Sequence, residues 1–175
     1  VQELGSDAFA MRKPTQIPVP WRLWRYFRRR PLSLAVVDST GARVARWKFL
    51  AACLALARCL HRHVVDQPRI GLLLPPSVGG CVANVAASLL GKPVVNFNYT
   101  AGKQSLESTA KQCGITKVLT SRAFLEKFSV DLPGDPVYLE DIREGVGVFE
   151  KLLCSVAWML PVPLCRAFVG GRRNS

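Results

Sequence analysis

The sequence predicts an α/β fold, in which a mainly parallel sheet is flanked by helices. Three observations support this fold class. Apolar segments of strand length alternate with longer segments whose apolar residues recur every three or four positions. Proline, glycine or serine separates most of these segments, as expected where buried elements end. Repeated strand–helix units of this size favour parallel strands joined by right-handed crossovers.

The first predicted elements are a basic helix, a hairpin and a long helix. Aromatic and basic residues interleave at helical spacing in residues 20–30. The Ser-Thr-Gly-Ala sequence at 39–42 has the composition of a turn between two short strands. From Leu50 to Val64, apolar residues repeat at three and four positions, which predicts a long amphipathic helix.

Strands and helices then alternate strictly. The apolar run at 70–74 is typical of a buried parallel strand and stops at two prolines. Ser77 is the predicted N-cap of a helix that reaches Leu90, and Gly114 ends a later one. The remaining predicted elements are a strand at 93–97, a helix at 103–113, a strand at 117–120, a short helix at 121–128 and a strand at 137–139.

The formal charge of +12 is concentrated at the two ends of the 175-residue chain. Residues 1–30 carry seven Lys or Arg against two acids, and residues 142–175 carry five against two. We therefore expect three parts: a basic aromatic connector or helix at 1–30, an α/β unit at 31–145, and an apolar, membrane-interfacial segment with a basic tail at 146–175.

The six cysteines include no Cys-x-x-Cys pair, and most lie within apolar helical patterns. This spacing favours a reduced, cytoplasmic protein and predicts no metal site. Neither a secretory signal nor a spanning helix is expected, because the apolar run at 152–165 contains two prolines and is shorter than the roughly 20 residues a bilayer requires. The absence of an initial Met favours a fragment.

The basic aromatic segment suggests an anionic membrane surface as a partner, since Trp rings and Arg side chains both favour the headgroup region. The candidate membrane-surface residues are Trp21, Arg22, Trp24, Arg25, Arg28 and Arg29. In the alternative, the aromatic face packs on the domain and the arginines face water. Nucleic acid is a third possibility, but the chain offers charge without a recognised motif, so no specific nucleic acid is expected.

A search for catalytic patterns predicts no catalytic or cofactor-binding residue. Neither Gly-Lys pair, at 91–92 or 102–103, has the remaining residues of a phosphate-binding loop. His61 and Asp66 have the His-x4-Asp spacing of glycerolipid acyltransferases, but five helical residues turn the two side chains roughly 140° apart. Glu140 and Asp141 follow the last strand and are interpreted as a solvated strand end, although ligands bind at that edge of open sheets.

Residues 45–128 carry a recognisable order of motifs. It includes Ile-Gly-Leu-Leu-Leu-Pro at 70–75, Gly-Lys-Pro-Val-Val-Asn-Phe-Asn-Tyr-Thr-Ala-Gly at 91–102 and Val-Leu-Thr-Ser at 118–121. This order is similar to the N-terminal subdomain of the acyl-CoA synthetase and adenylate-forming superfamily. Within it, the chain most resembles the synthetase half of bifunctional 2-acylglycerophosphoethanolamine acyltransferase/acyl-carrier-protein synthetases.

The resemblance implies a fatty-acyl ligase of phospholipid acyl-chain metabolism, peripheral on the inner membrane. Such an enzyme uses ATP and Mg²⁺ to make an acyl-adenylate from a fatty acid and passes the acyl group to the thiol of an acyl-carrier protein or coenzyme A. The residues for that chemistry are absent here, so we expect a scaffold fragment that is inactive alone. Asn96, Asn98, Tyr99 and Thr100 are the candidate acyl-pocket residues; alternatively this turn only caps the second strand.

Overall fold

The computed structural model describes residues 17–170, apart from the side chains of Val148 and Lys151. Its helices are α1 (Val19–Arg28), α2 (Arg46–Val64), α3 (Val78–Leu89), α4 (Lys103–Cys113), α5 (Arg122–Phe128), α6 (Leu139–Glu144), α7 (Val148–Ala157) and α8 (Val162–Val169). Its strands are β1 (Leu34–Val37), β2 (Arg43–Ala45), β3 (Ile70–Leu72), β4 (Val94–Asn96), β5 (Lys117–Thr120) and β6 (Asp135–Tyr138). The predicted strands and helices between residues 20 and 139 are all present.

Four strands form a parallel sheet in the order β4-β3-β5-β6. The predicted α/β fold class is thereby confirmed. Several strand ends differ from the prediction by one or two residues. Strand β3 stops at Leu72, β4 is one residue shorter at each end, and β6 begins at Asp135 and ends before Leu139, which begins α6. Beyond β3 the pairing continues through Leu73, whose N–H donates to the Leu119 carbonyl at 3.0 Å and whose carbonyl accepts from the buried Thr120 hydroxyl at 2.8 Å.

Helices cover both faces of the sheet. Leu72 and Leu119 point into a core formed with α2 and α3. Their chain neighbours Leu73 and Val118 point to the other face, where α4 and α5 pack. This alternation follows from the two-residue period of a strand and explains why the successive residues Leu72 and Leu73 are both apolar, as are Val118 and Leu119.

Ser77 and Gly114 act at helix ends as predicted. The Ser77 hydroxyl accepts a hydrogen bond from the Gly80 N–H at 3.1 Å and so caps α3. Gly114 follows α4 with a φ of 61°, a left-handed conformation that glycine adopts without a steric cost from Cβ. Both signals are local, which is why the sequence locates these helix ends well.

The helices outside the sheet belong to the same core. Trp21 and Trp24 of α1 and Cys154 and Ala157 of α7 are buried with the residues of α2. Residues on both sides of the predicted boundaries at 30 and 145 therefore share one hydrophobic core. Arg58 of α2 adds polar links, donating to Glu150 of α7 at 2.8 Å and to the Phe168 carbonyl of α8 at 3.0 Å.

The burial of α1 corrects part of the membrane-surface hypothesis. Both tryptophans face the protein interior and cannot reach a lipid in this conformation. Arg28 is also engaged, because its guanidinium donates to the carbonyls of Met159 and Leu160. Of the six candidate residues, the ones left on the surface are Arg22, Arg25 and Arg29.

His61 and Asp66 are held by different neighbours. The His61 ring lies beside Gly170 after α8, whereas the Asp66 carboxylate lies 3.4 Å from the Lys117 ammonium on β5. The two side chains have separate surroundings, as the helical geometry predicted. Across residues 17–170, no helix is both long enough and apolar enough to cross a membrane.

Asp38 joins the hairpin to the start of α3. Its Oδ1 accepts hydrogen bonds from the Thr40 hydroxyl at 2.6 Å and the Thr40 N–H at 3.0 Å, and its Oδ2 accepts one from the Val78 N–H at 3.2 Å. The Thr40 hydroxyl, followed by the Val78 N–H, holds the pKa of Asp38 below its ordinary value.

This lowered pKa predicts a pH-dependent contribution to stability. A carboxylate with a folded pKa below its unfolded pKa contributes stability that is complete above the unfolded pKa and is lost as pH falls through the folded pKa. We therefore expect Asp38→Asn to lower the urea midpoint near neutral pH and the deficit relative to the unmodified chain to shrink as the pH is lowered past about 4. Asp131→Asn, at an exposed carboxylate, is the matched control. A deficit independent of pH would contradict the assignment.

Candidate functional site

The carboxyl edge of the parallel sheet carries two clefts. The neighbouring strands β3 and β5 continue into helices that lie on opposite faces of the sheet. The connections that follow the two strands therefore leave the sheet in opposite directions. In open α/β sheets, ligands bind outside the strand ends at such a switch point. The first cleft lies at the ends of β3 and β4, and the second at the ends of β5 and β6.

The first cleft, here called the asparagine cleft, has a volume of about 260 Å³. It is lined by Leu74, Pro75, Pro76, Ser77, Gly80, Cys81, Asn84, Asn96, Phe97, Asn98 and Tyr99. The amides of Asn84 and Asn96 donate to each other at 3.0 and 2.9 Å, which links α3 to the end of β4. The mixed polar lining and small volume suit a small polar group better than a long apolar chain.

Three of the four predicted acyl-pocket residues line the asparagine cleft: Asn96, Asn98 and Tyr99. Their side chains are engaged locally. The Asn98 carboxamide oxygen accepts from the Thr100 hydroxyl at 2.8 Å and the Thr100 N–H at 3.1 Å, and the Tyr99 ring packs against Phe124 at 5.4 Å. Thr100 is exposed and stabilises the turn. These contacts stabilise the turn itself. They agree with the alternative interpretation of the sequence, in which the turn only caps the strand before it.

Cys81 provides a chemical probe of this cleft. It is exposed and lines the cleft, whereas burial raises the pKa of Cys154 to about 11 and also raises the pKa of Cys53 and Cys165. Roughly a thousandth of a thiol with such a pKa is thiolate near pH 8. We therefore expect iodoacetamide to modify Cys81 first and the four buried thiols, Cys59 included, only after denaturation, as followed by peptide mass spectrometry. Equal rates at Cys81 and Cys154 would contradict the packing of α7.

The second cleft, here called the apolar cleft, has a volume of about 510 Å³ between α2, α3 and α6. Its lining is Ala52, Ala55, Leu56, Gly79, Val82, Ser121, Leu139, Glu140, Ile142, Arg143 and Val146. Most of these residues are aliphatic, and the polar groups gather at the strand ends. Such a lining, with a few polar groups at one end, is typical of sites for ligands with an apolar body.

Glu140 is the polar group that sequence reasoning placed in solvent. The structure turns its half-buried carboxylate toward Ser121, whose hydroxyl donates to Oε1 at 2.7 Å. Burial alone would raise the pKa of Glu140, but the Ser121 hydroxyl and the N–H groups at the start of α5 outweigh it and lower that pKa. Oε2 is buried and accepts no hydrogen bond from the part of the chain that the structure describes.

Asp141 behaves as a solvated strand-end residue. It pairs with Arg122 on the surface, with nitrogen–oxygen distances of 2.5 and 2.8 Å. The Arg122 guanidinium lowers the pKa of Asp141. The carboxylate of Glu140 is therefore internal and that of Asp141 is solvated, although the two residues are adjacent in the chain. Both lie at the start of α6, which begins directly after Tyr138 ends β6.

Residues 17–170 contain no group of three or more His, Cys, Asp and Glu side chains arranged to hold a metal ion.

The fold is shared with solved structures of low sequence identity. The N-terminal subdomain of NpsA from Klebsiella oxytoca matches 73% of this chain with a TM-score of 0.61 and 14% identity. The nonribosomal peptide synthetase FmoA3, bound to α-methyl-L-serine-AMP, matches 76% with 0.64 and 15%. The O-succinylbenzoate coenzyme A synthetase MenE from Bacillus subtilis, in complex with AMP, matches 70% with 0.59 and 18%.

The chain has the fold of the N-terminal subdomain of NpsA and of the matching parts of FmoA3 and MenE. The matched part of this chain covers 32% of the NpsA subdomain structure, 15% of FmoA3 and 32% of MenE. No protein-family model matches the sequence. At these identities the likeness establishes the fold, and the chemistry of the clefts is a separate question.

Proposed function

We propose that this chain is the N-terminal subdomain of an ATP-dependent ligase that activates a carboxylic acid as its acyl-adenylate. The supporting observation is the likeness to FmoA3 and MenE, whose structures hold an aminoacyl-AMP and AMP respectively. The acids named for those two proteins differ in chemistry, while both proteins share the fold of this chain. The order of motifs over residues 45–128 supports the same assignment independently of the fold.

The proposed acid is a fatty acid, and the proposed acceptor is the thiol of an acyl-carrier protein or coenzyme A. The sequence resemblance to the synthetase half of bifunctional acyltransferase/acyl-carrier-protein synthetases supports this choice. The apolar cleft adds a physical argument, because its aliphatic walls would bury methylene groups at about 0.8 kcal/mol each. We therefore place the acyl chain there in preference to the asparagine cleft.

ATP and Mg²⁺ are assigned to parts of the ligase beyond these residues. The described residues do not fit the two groups, since they contain neither a phosphate-binding loop nor a carboxylate cluster for a cation. The role proposed for this chain is to supply one wall of the enzyme and its apolar cleft.

The ligase proposal is tested by ATP–pyrophosphate exchange with the complete gene product. The panel contains saturated fatty acids from octanoate to stearate, aromatic acids and amino acids. Exchange that depends on fatty acids supports both the ligase and its substrate class. Exchange with aromatic or amino acids alone overturns the fatty-acid assignment and retains the ligase, and no exchange with any acid overturns the ligase.

The position of the acyl chain is tested with the 175-residue chain and a fluorescent fatty acid. Leu56→Trp fills the apolar cleft and is expected to weaken binding at least about tenfold, whereas Leu32→Trp, at an exposed position, serves as the size-matched control. If the fatty acid instead protects Cys81 from iodoacetamide and Leu56→Trp has no effect, the acyl chain belongs in the asparagine cleft.

A further inference from the structure

An apolar helix face is exposed on the C-terminal side of the molecule. The outward residues of α7 are Phe149, Leu152, Leu153 and Val156, with Met159 just beyond the helix. The four helical positions follow the spacing i, i+3, i+4 and i+7, so they form one continuous face. Phe149 and Leu152 are 76% and 64% exposed, whereas Cys154 and Ala157 on the opposite side of the same helix are buried.

A row of arginines lies on the exposed face of α1. Arg22, Arg25 and Arg29 are all exposed and follow the spacing i, i+3 and i+7. The tryptophans on the opposite side are buried, so the exposed side of this helix carries the arginines together with Val19 and Tyr26. The two helices are tied together by Arg28, which donates to the Leu160 carbonyl at 2.8 Å just after α7.

The region around these two faces has little negative charge. Residues 17–37 and 151–170 contain seven Lys or Arg and no Asp or Glu. The acidic residue of α7, Glu150, is turned inward, where it pairs with Arg58 at 2.8 Å and is 17% exposed. The apolar face of α7 thus meets the basic helix α1 at the exposed Met159, whose carbonyl accepts a hydrogen bond from Arg28.

We propose that the α7 face and the arginines of α1 together form a docking surface for an anionic lipid bilayer. The aliphatic and aromatic side chains of α7 would enter the boundary between headgroups and acyl chains, and the arginines would contact lipid phosphates. Apolar burial and attraction to anionic lipid reinforce each other at such interfaces. Each basic residue near the surface contributes roughly a fivefold increase in binding.

Charge also argues against a second copy of the chain as the occupant. In a two-fold symmetric contact through α7, the neighbouring arginine rows of both copies would be brought toward each other. Like charges placed together at an interface are costly. A bilayer containing anionic lipid supplies the opposite charge and the apolar phase at once. The surface is independent of the ligase proposal and needs no spanning helix.

The experiment is vesicle sedimentation with the complete gene product and the 175-residue chain. The vesicles are phosphatidylcholine alone, or phosphatidylcholine with about a third phosphatidylglycerol. We expect both proteins to bind the anionic vesicles, and binding to fall as salt rises from about 0.1 M to about 0.5 M because surface charges become screened.

Two double variants separate the apolar and basic contributions. Leu152→Glu/Val156→Glu is expected to reduce binding to anionic vesicles about a hundredfold, since two apolar contacts are replaced by charges that the surface repels. Arg22→Glu/Arg25→Glu is expected to reduce it at least about twentyfold. The controls are Val65→Glu, at an exposed apolar position on another surface, and Lys103→Glu/Lys111→Glu on α4.

Three results would overturn the proposal. If Lys103→Glu/Lys111→Glu on α4 weakens binding as much as Arg22→Glu/Arg25→Glu does, the binding reflects net charge alone. Binding by the 175-residue chain but not by the complete gene product would show that protein covers the α7 face. If light scattering shows a dimer that Leu152→Glu/Val156→Glu abolishes, and the unmodified protein does not bind vesicles, the α7 face belongs to a contact with a second copy of the chain.

Discussion

Trp24→Ala is expected to lower the free energy of unfolding by about 3–5 kcal/mol, the range for removing a large buried aromatic side chain. Trp24 is 0% exposed, and its ring centroid lies 5.9 Å from that of Trp21. The packing on α2 and α3 leaves little room for the surroundings to collapse into the resulting cavity. The measurement is urea denaturation followed by circular dichroism.

The matched control for Trp24 is on the same helix. Tyr26 is 55% exposed, so Tyr26→Ala is expected to change the free energy of unfolding by less than about 1 kcal/mol. Trp24→Phe is a second comparison: the indole Nε1 has no hydrogen-bond acceptor among the described residues, so losing this donor offsets part of the lost volume. Equal stability of Trp24→Ala and Tyr26→Ala would mean that α1 is not packed as described.

Gly80→Ala is expected to destabilise the chain by about 1–3 kcal/mol, the usual cost of overpacking a tight site. A Cβ at Gly80 would lie 2.7 Å from the Pro75 carbonyl oxygen, which belongs to the backbone of the loop after β3. Relief requires α3 to move away from that loop, and both line the asparagine cleft. We therefore expect faster alkylation of Cys81 as well as a lower urea midpoint.

The neighbouring glycine provides a sharp control for this steric argument. A Cβ at Gly79 would meet nothing closer than the Ser77 hydroxyl at 3.7 Å. Gly79→Ala is therefore expected to be neutral or stabilising by up to about 1 kcal/mol, because alanine is the better helix former. If the two variants lose the same stability, the close approach of Gly80 to the loop is not what constrains this position.

The candidate site was only partly predictable from the sequence. The turn after β4 could be placed from the sequence because its residues are contiguous and follow a clear strand, and the acyl-pocket role of Asn96 and Asn98 stays a prediction. The apolar cleft was not predicted, since its walls come from α2, α3 and α6, which are far apart in the chain. Glu140 was interpreted as solvated for the same reason: the hydroxyl of Ser121 that turns it inward lies on a different strand end.

The sequence by itself determined the order and type of the elements as far as β6, whereas the start of α6 at Leu139 was not predicted. Apolar periodicity, the cap at Ser77 and the glycine after α4 are local signals, and each acts on the few residues around it. These signals were sufficient for the parallel α/β fold class, because repeated strand–helix units of this length leave few other arrangements.

Only the tertiary structure decided which faces of these elements remain exposed. The tryptophans of α1 have the composition of a lipid anchor, yet α2 and α3 bury them, and the apolar residues of α7 remain at the surface because Cys154 and Ala157 occupy its inward side. Periodicity indicates that a helix has an apolar face. Whether that face is buried depends on helices and strands that are distant in the sequence. The membrane surface that we propose accordingly relies on the outer face of α7 instead of the aromatic side of α1.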